Sequence, residues 1–313
     1  MRAMTMLAVL PFYVPFCSTP TRPFGPGWSS GPSLPEPIQE MHGAVLHGSI
    51  YIAGGFHHGP QASSATYRLD PGATEWRRVG DLPAQRHHMP LAVVGDSLYA
   101  VGGLSTSGPV ATLWLYDEGR DRWVEREGLP EPRGASAALE AGGRLVVVGG
   151  FGPDRRLLDS IAIYDPATHR WQHGAPIPTP RDHLAAAQVG GRVFAIGGRP
   201  LSPDRNFNKL EIYDPGSDSW SAGPPMPSAR GGLAAAVLDG RIHTFGGETT
   251  RSVFDNHEVY DVSAGTWQIA PPMPTGRHGL AAAVLNGRIY VIGGGPRAGF
   301  AQTYLVEVYT PTP

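Results

Sequence analysis

Histidine and carboxylate side chains recur at one place in this sequence, four and five residues after a repeated proline. The prolines are spaced 47 to 49 residues apart, and the residues that follow them include Gln39, Glu40, His87, His88, Asp182, His183 and His278. Imidazole and carboxylate groups are suited to exchanging protons with a substrate. Because these two positions vary between copies while the residues around them repeat, we expect them in a ligand site rather than in the scaffold.

The residue three positions after the same prolines is usually arginine. It is Arg86, Arg133, Arg181, Arg230 and Arg277, and Ile38 interrupts the series. A ring of guanidinium groups could capture an anion. We favour a structural role, because most side-chain hydrogen bonds go to backbone or water and a repeated arginine can bond neighbouring carbonyls.

Further polar and aromatic side chains lie in loops that we expect on the same face. They include His57, Arg199, Arg205 and Glu248, with Phe56, Phe151, Phe207, Phe254 and Phe300 among them. A mixed lining of arginine, histidine, carboxylate and aromatic groups suits a peptide segment or a sugar. The competing interpretation is that loop residues are polar only because they are exposed to water.

The candidate ligand-binding residues are thus drawn from both sets of loops. They are Glu40, His57, His87, His88, Arg133, Arg181, His183, Arg199, Arg205, Arg230, Glu248, Arg277 and His278. No catalytic residue is assigned, because no nucleophile–base motif, phosphate loop or dinucleotide fingerprint is present. No metal or cofactor is predicted either, since the histidines lack a metal-ligand spacing and Cys17 is the only cysteine.

A regular repeat positions these residues. Six tryptophans, Trp28, Trp76, Trp123, Trp171, Trp220 and Trp267, are each followed by a proline after 7 residues and by a glycine doublet after 26. The distance from a doublet to the next tryptophan varies between 21 and 23 residues, so the length changes lie in that half of the repeat. Insertions of this kind mark loops.

Each repeat predicts four short strands, as residues 183–222 show. Two apolar runs meet at a glycine turn and end at Gly197 and Gly198, where glycine permits positive φ. An alternating run then ends at Asp214 and Pro215, and Trp220 lies in the fourth strand. The doublet, the Tyr-Asp-Pro-like turn and the tryptophan resemble the kelch motif, over nearly the whole span from Trp28 to Tyr309.

This resemblance implies an all-β fold, a six-bladed kelch β-propeller with four antiparallel strands per blade. The last repeat lacks a tryptophan strand, so we expect an N-terminal strand containing Trp28 to close the last blade. Residues 1–25 are predicted to be an N-terminal extension, disordered or weakly signal-like, and residues 26–313 a single propeller. Small residues such as Ala185–Ala187 and Ala281–Ala283 fit the innermost strands around a narrow, apolar channel.

The resemblance also implies function. Many kelch propellers bind proteins, so the favoured interpretation is a non-catalytic scaffold that recognises a protein or peptide at the loop face around the channel. The alternative is a carbohydrate-active enzyme that resembles the bacterial sialic acid mutarotases, which need no metal. Propellers that resemble galactose oxidase need a cysteine cross-linked to a tyrosine beside a copper site. Cys17 lies outside the repeats, so this similarity is rejected. The iron-ligand pattern of nitrile-specifier proteins is also absent.

The two interpretations predict different geometry on the loop face. An enzyme should bring two or more of the histidines and carboxylates within about 3.5 Å of one another around a closed pocket. A surface that binds a protein should spread these residues over an open, shallow depression. The first outcome favours the enzyme and the second favours the scaffold.

Composition and charge give no support for a nucleic-acid or membrane partner. The formal net charge is -2 and 17% of residues are charged, which gives no global field for nucleic acid. No run of 18 apolar residues predicts a membrane span. Met4 to Leu10 weakly resembles a secretory signal, but Pro11 interrupts it, so a cytoplasmic location is favoured over secretion. The repeats use nearly all of the chain and no partner-recruiting domain is visible, which weakens the interpretation as an adaptor. We expect a monomer.

Overall fold

Short apolar runs between glycine-rich and aspartate-rich turns form short strands. The computed structural model describes residues 22–311, which contain 28 strands and two 3-10 turns. The chain begins with β1 (Trp28–Ser30). The first blade contains β2 (His42–Leu46), β3 (Ser49–Ala53), the hairpin β4 (Phe56–His57) and β5 (Gln61–Ala62), β6 (Thr66–Leu69) and β7 (Arg77–Val79). The second contains β8 (Leu91–Val94), β9 (Ser97–Val101), the hairpin β10 (Leu104–Ser105) and β11 (Gly108–Pro109), β12 (Leu113–Asp117), a 3-10 turn (Glu118–Arg120) and β13 (Arg122–Arg126).

The other four blades follow in chain order. The third contains β14 (Ala137–Ala141), β15 (Arg144–Val148), a 3-10 turn (Pro153–Arg155), β16 (Ile161–Asp165) and β17 (Arg170–Gly174). The fourth contains β18 (Ala185–Val189), β19 (Arg192–Ile196), β20 (Leu210–Asp214) and β21 (Ser219–Ala222). The fifth contains β22 (Ala234–Leu238), β23 (Arg241–Phe245), β24 (His257–Asp261) and β25 (Thr266–Ile269). The sixth contains β26 (Ala281–Leu285), β27 (Arg288–Ile292) and β28 (Val306–Tyr309).

Six four-stranded antiparallel sheets surround one channel, and this confirms the predicted six-bladed propeller. The innermost strands β2, β8, β14, β18, β22 and β26 contact one another in a closed circle. The sixth sheet has the order β1-β28-β27-β26, with Trp28 opposite Tyr309, so the N-terminal strand closes the last blade as predicted. The predicted extension and domain boundary remain a prediction, because residues 1–21 lie outside the described residues. No helix in residues 22–311 is long and apolar enough to cross a membrane.

The repeated tryptophans join neighbouring blades. Each indole N–H donates to the backbone carbonyl four residues beyond the tryptophan of the preceding blade, over 2.7 to 3.0 Å. Two of these six bonds involve the N-terminal strand segment, since Trp28 donates to Pro271 and Trp76 donates to Pro32. The segment therefore takes part in both interfaces of the sixth blade.

The glycine doublets permit a close crossing of two loops. Gly54 has φ +68°, and a Cβ there would lie 2.5 Å from the carbonyl oxygen of Arg86. No larger residue could occupy that position without moving the backbone of the next blade's loop. The doublet loop and the proline loop are thus held side by side on one face, as the strand directions predict.

A pair of buried histidines supports the closing strand. His257 donates from Nδ1 to the Pro271 carbonyl that also accepts from Trp28, and its Nε2 accepts from His243 Nδ1 over 2.9 Å. Both rings are therefore neutral. Burial lowers the pKa of His243 to about 4, and burial with the neighbouring His243 lowers the pKa of His257 to about 3.

This pair predicts a loss of stability in acid. The pKa of histidine in the unfolded chain is about 6.5, so the pair stabilises the fold fully above that pH and loses its contribution as the pH falls towards 4. The urea midpoint should fall over this range. The His243→Phe variant should show a shallower fall of the urea midpoint, because it removes one of the two titrating rings. Phenylalanine is the replacement because the equivalent position of the fourth blade is Phe194. Equal slopes for the two proteins would contradict this account.

Candidate functional site

Six residues, one from each blade, surround one end of the channel, which we call the channel mouth. They are Glu40, His88, Ala135, His183, Gly232 and Gly279, and all have φ between 50° and 71°. Each backbone N–H donates to the carbonyl of the equivalent residue in the preceding blade, over 2.6 to 3.2 Å, so the six form a closed ring. Left-handed backbone costs about 1–3 kcal/mol in a non-glycine residue and persists only where its surroundings hold it. The ring therefore fixes Glu40, His88 and His183 rigidly around the axis.

Polar side chains meet directly at this ring. His88 Nε2 lies 3.1 Å from Glu40 Oε2, and His278 Nδ1 lies 3.2 Å from Glu40 Oε1 and 3.3 Å from Glu248 Oε2. Arg199 donates to the other oxygen of Glu248 over 2.9 Å. We call Glu40, His88, Asp182, His183, Arg199, Glu248 and His278 the mouth cluster. Its side chains are at most 12% exposed, so it is a closed arrangement rather than an open dish.

Asp182 orients His183. One of its carboxylate oxygens accepts from His183 Nδ1, and the other accepts from the backbone N–H of Leu201 over 2.7 Å. This bond places a proton of His183 on Nδ1, so that in the neutral ring Nε2 carries the lone pair. A ring nitrogen of His183 lies within 4.8 Å of the ligand atoms of Glu40 and His88. This is the arrangement of a general base held by a carboxylate.

Burial and charge set the protonation of the cluster. Burial raises the pKa of Glu40, but His88 and His278 more than offset it and hold that pKa well below its usual range. Burial lowers the pKa of His88 well below its usual value, and Glu40 opposes this only in part. Burial also lowers the pKa of His278, yet the carboxylates of Glu40 and Glu248 leave it raised overall. Burial thus favours the neutral form of His88, whereas the two carboxylates favour the protonated form of His278.

His87 connects the cluster to a groove on the same face. Its Nδ1 lies 2.6 Å from Nδ1 of His88, its ring stacks on Phe56 with centroids 3.9 Å apart, and burial lowers its pKa to about 4. The groove has a volume of about 470 Å³ and lies between the β10–β11 hairpin and the loop that contains Phe151 and Arg155. The cavity at the mouth encloses only about 30 Å³ and the channel below it about 90 Å³. A ligand larger than a few water molecules therefore cannot enter the channel, and on this face it would bind over the mouth or in the groove.

The structure places the repeated arginines inside the blades. Arg133, Arg181, Arg230 and Arg277 are 0% exposed. Each donates to the carbonyl of the first glycine of a doublet, and the last three also pair with a glutamate of the third strand in the same blade, namely Glu211, Glu258 and Glu307. These four candidate residues are therefore part of the scaffold and do not line the mouth.

Two other candidates lie away from the axis. His57 Nδ1 lies 3.0 Å from Glu36 at the rim of the first blade, and Arg205 is exposed in the long loop of the fourth. Glu40, His87, His88, His183, Arg199, Glu248 and His278 are the candidates that the fold brings together.

Sequence reasoning missed His42 and Ser136, which line the channel and its mouth. Burial lowers the pKa of His42 to about 4. Both residues lie in or next to the start of an innermost strand, where the repeat otherwise has small or apolar residues. Nothing but their polarity at such a position could have indicated them.

Comparisons with known proteins agree with this architecture. The model of the KLHDC2/KLHL20/DRC7 Kelch-repeats domain matches residues 29–198 and 126–294. Beta-scruin of Limulus polyphemus is 30% identical over 132 residues, which are 39% of this chain and 14% of that protein. Kelch-like protein 26 of Mus musculus is 36% identical over 113 residues, 35% of this chain and 19% of that protein.

A solved structure titled "Structure of YjhT" superposes with a TM-score of 0.79 at 18% identity, covering 91% of this chain and 98% of that one. At that identity the likeness shows the fold alone. The aligned part of this chain spans less than a fifth of the length of the two curated relatives. Because the family model matches most of the residues, the chain belongs to the kelch-repeat β-propeller family.

Proposed function

We propose that the channel mouth binds a sugar and catalyses proton transfer at its anomeric centre, which is the reaction of a mutarotase. The observation that carries this proposal is the meeting of Glu40, His88 and His278 within 3.1 to 3.2 Å beside the Asp182–His183 pair. Such a closed cluster is the outcome that favours chemistry over protein binding.

The reaction needs only a base and an acid. His183 Nε2 takes the proton of the anomeric hydroxyl as the bond from the ring oxygen to the anomeric carbon breaks, and the imidazolium formed in this way gives the proton to the ring oxygen. The free aldehyde or ketone rotates, the ring closes on its opposite face, and His183 returns the proton to the new anomeric oxygen. No oxidant, metal or covalent intermediate takes part, and the side chains end in their starting states.

The groove next to His87 supports an acidic sugar in particular. Arg155 lies over the Phe151 ring at 5.8 Å and lines the groove, so its guanidinium is available to a carboxylate while the ring offers a stacking surface. A volume of about 470 Å³ is large enough for one monosaccharide. Sialic acids combine a carboxylate with a sugar ring and are the substrate class that we propose.

A protein or peptide ligand is the second candidate function. Phe300 is 57% exposed beside the mouth and contacts Phe56, which in turn stacks on His87. An exposed aromatic side chain at a rim is a typical anchor in protein interfaces. The family also favours this candidate, because kelch propellers often bind proteins.

A thermal-shift comparison separates the two candidates. We expect N-acetylneuraminate at saturating concentration to raise the melting temperature by several degrees, because a ligand that binds only the folded state stabilises it by about 2.7 kcal/mol at 100 times its Kd. The Arg155→Ala variant should lose most of this shift, whereas Arg205→Ala, an exposed arginine elsewhere on this face, should keep it. A shift with peptides and none with any sugar would favour the second candidate.

A further inference from the structure

We propose that Glu40, Glu248 and His278 form a binding site for a divalent transition-metal ion such as Zn²⁺. The three residues come from different loops of the first, fifth and sixth blades, and each offers a ligand atom within 4.8 Å of the other two. Imidazole and carboxylate are both ligands of zinc. This site goes beyond the proposed function, which assigns proton transfer to His183.

The hydrogen bonding of His278 determines which of its nitrogens faces the carboxylates as a ligand. Nε2 lies 3.1 Å from the carbonyl oxygen of Gly299, which can only accept, so Nε2 carries the proton. In the neutral form of the ring, Nδ1 then carries a lone pair directed at the two glutamates. An imidazole that donates its other nitrogen to a backbone carbonyl is the usual form of a metal-bound histidine.

The lone pair and the carboxylates cannot face one another without a cation between them. Nδ1 lies 3.2 Å from Glu40 Oε1 and 3.3 Å from Glu248 Oε2. These distances are at the long end of N–H···O hydrogen bonds. They also match the distance of roughly 3.3 Å that separates two ligand atoms in a tetrahedral site with metal–ligand bonds of about 2.0–2.1 Å. A metal ion or a proton on Nδ1 would fill this role, and the experiment below distinguishes them.

The surroundings hold the three ligands in place. Arg199 donates to the second oxygen of Glu248 over 2.9 Å, and His88 lies 3.1 Å from the second oxygen of Glu40. His278 is 2% exposed, and the side chains of both glutamates are 9% exposed. Arg199 compensates the charge of Glu248, and a cation in the site would compensate the charge of the buried Glu40 carboxylate. The site is therefore preorganised for a small ion and supplies three ligands, which leaves a fourth position for water or a ligand.

Metal binding can be measured directly on the full chain. The purified protein is dialysed against a chelator, and Co²⁺ and Zn²⁺ are then titrated by visible spectroscopy and calorimetry. We expect one ion per chain, and visible bands of tetrahedral Co²⁺ that Zn²⁺ abolishes. The Glu248→Gln and His278→Gln variants should bind at least tenfold more weakly. Glu36→Gln is the matched control, because it alters the rim trio of Glu36, His57 and His58 and should leave binding unchanged.

Further readouts keep the assignment falsifiable. Melting curves in chelator show whether each variant folds, and the rise in melting temperature on adding Zn²⁺ should disappear only when the metal ligands are changed. His183→Gln should bind the ion normally while losing anomer exchange, so failure of the proposed function leaves this test intact. The proposal is overturned if Zn²⁺ does not bind, if only Glu36→Gln weakens it, or if His183→Gln weakens it and Glu248→Gln does not.

Discussion

Replacing His183 with glutamine is expected to lower the rate of catalysed anomer exchange by about 10²–10⁴-fold, the usual contribution of a positioned general base. The amide can still contact Asp182, but it cannot accept a proton from the sugar hydroxyl. The rate is measured by exchange NMR on sialic acid with the variant and the parent protein. The melting temperature should change little, because His183 is only partly buried and its backbone belongs to the ring of hydrogen bonds.

Asp182→Asn provides a sharper version of this test. An amide in place of the carboxylate favours the opposite tautomer of His183, so it should cost about as much as His183→Gln itself. The double variant should be no slower than either single variant, because residues that act as one unit give non-additive losses. The matched control is His57→Gln, which alters a histidine paired with Glu36 at the rim. Additive losses in the double variant would show that the two residues do not act as one base.

Replacing Trp28 with alanine is expected to destabilise the fold by about 3–5 kcal/mol through the lost indole alone. Trp28 is buried against Phe245, His257 and Tyr309 and donates to the Pro271 carbonyl. A further loss is expected because β1 is a strand of 3 residues that pairs only with β28 and has no other strand beside it. If it detaches, the edge of the sixth blade is exposed. Urea denaturation measures the change.

Trp123→Ala is the control for the buried indole. Trp123 holds the same repeat position, is equally buried at 6% exposure and donates to the equivalent carbonyl, but its strand continues from β12 through a short turn. We expect Trp28→Ala to cost more and to expose the edge strand to proteolysis at lower urea. An equal cost for the two variants would mean that closure by the N-terminal strand adds nothing beyond the burial of its tryptophan.

The fold could be predicted almost completely from the sequence, because its determinants repeat. A glycine doublet that permits the loop crossing at Gly54 and a tryptophan that bonds the preceding blade occur in the same register each time. The missing tryptophan of the last repeat and the extra Trp28 at the start together required closure between the two ends. Periodicity and turn chemistry were sufficient for this.

The site could be predicted only in part. The positions after the prolines indicated Glu40, His88 and His183, because the residues there vary while their neighbours repeat. The same reasoning could not separate Arg181 from Arg199, since one guanidinium bonds carbonyls inside a blade and the other reaches Glu248 at the mouth. Distances between residues of different blades, such as that from His278 to Glu40, depend on the ring as a whole and leave no local signal in the sequence.

Catalysis at the channel mouth is measured most directly by the rate at which a freshly dissolved single anomer of N-acetylneuraminate reaches equilibrium, followed by NMR at a pH where the uncatalysed exchange is slow. We expect catalytic amounts of the protein to accelerate this exchange and the same amount of the His183→Gln variant to leave it unchanged. A rate identical to that of buffer, for this sugar and for neutral sugars alike, would contradict the proposed chemistry and leave the loop face as a binding surface for a protein.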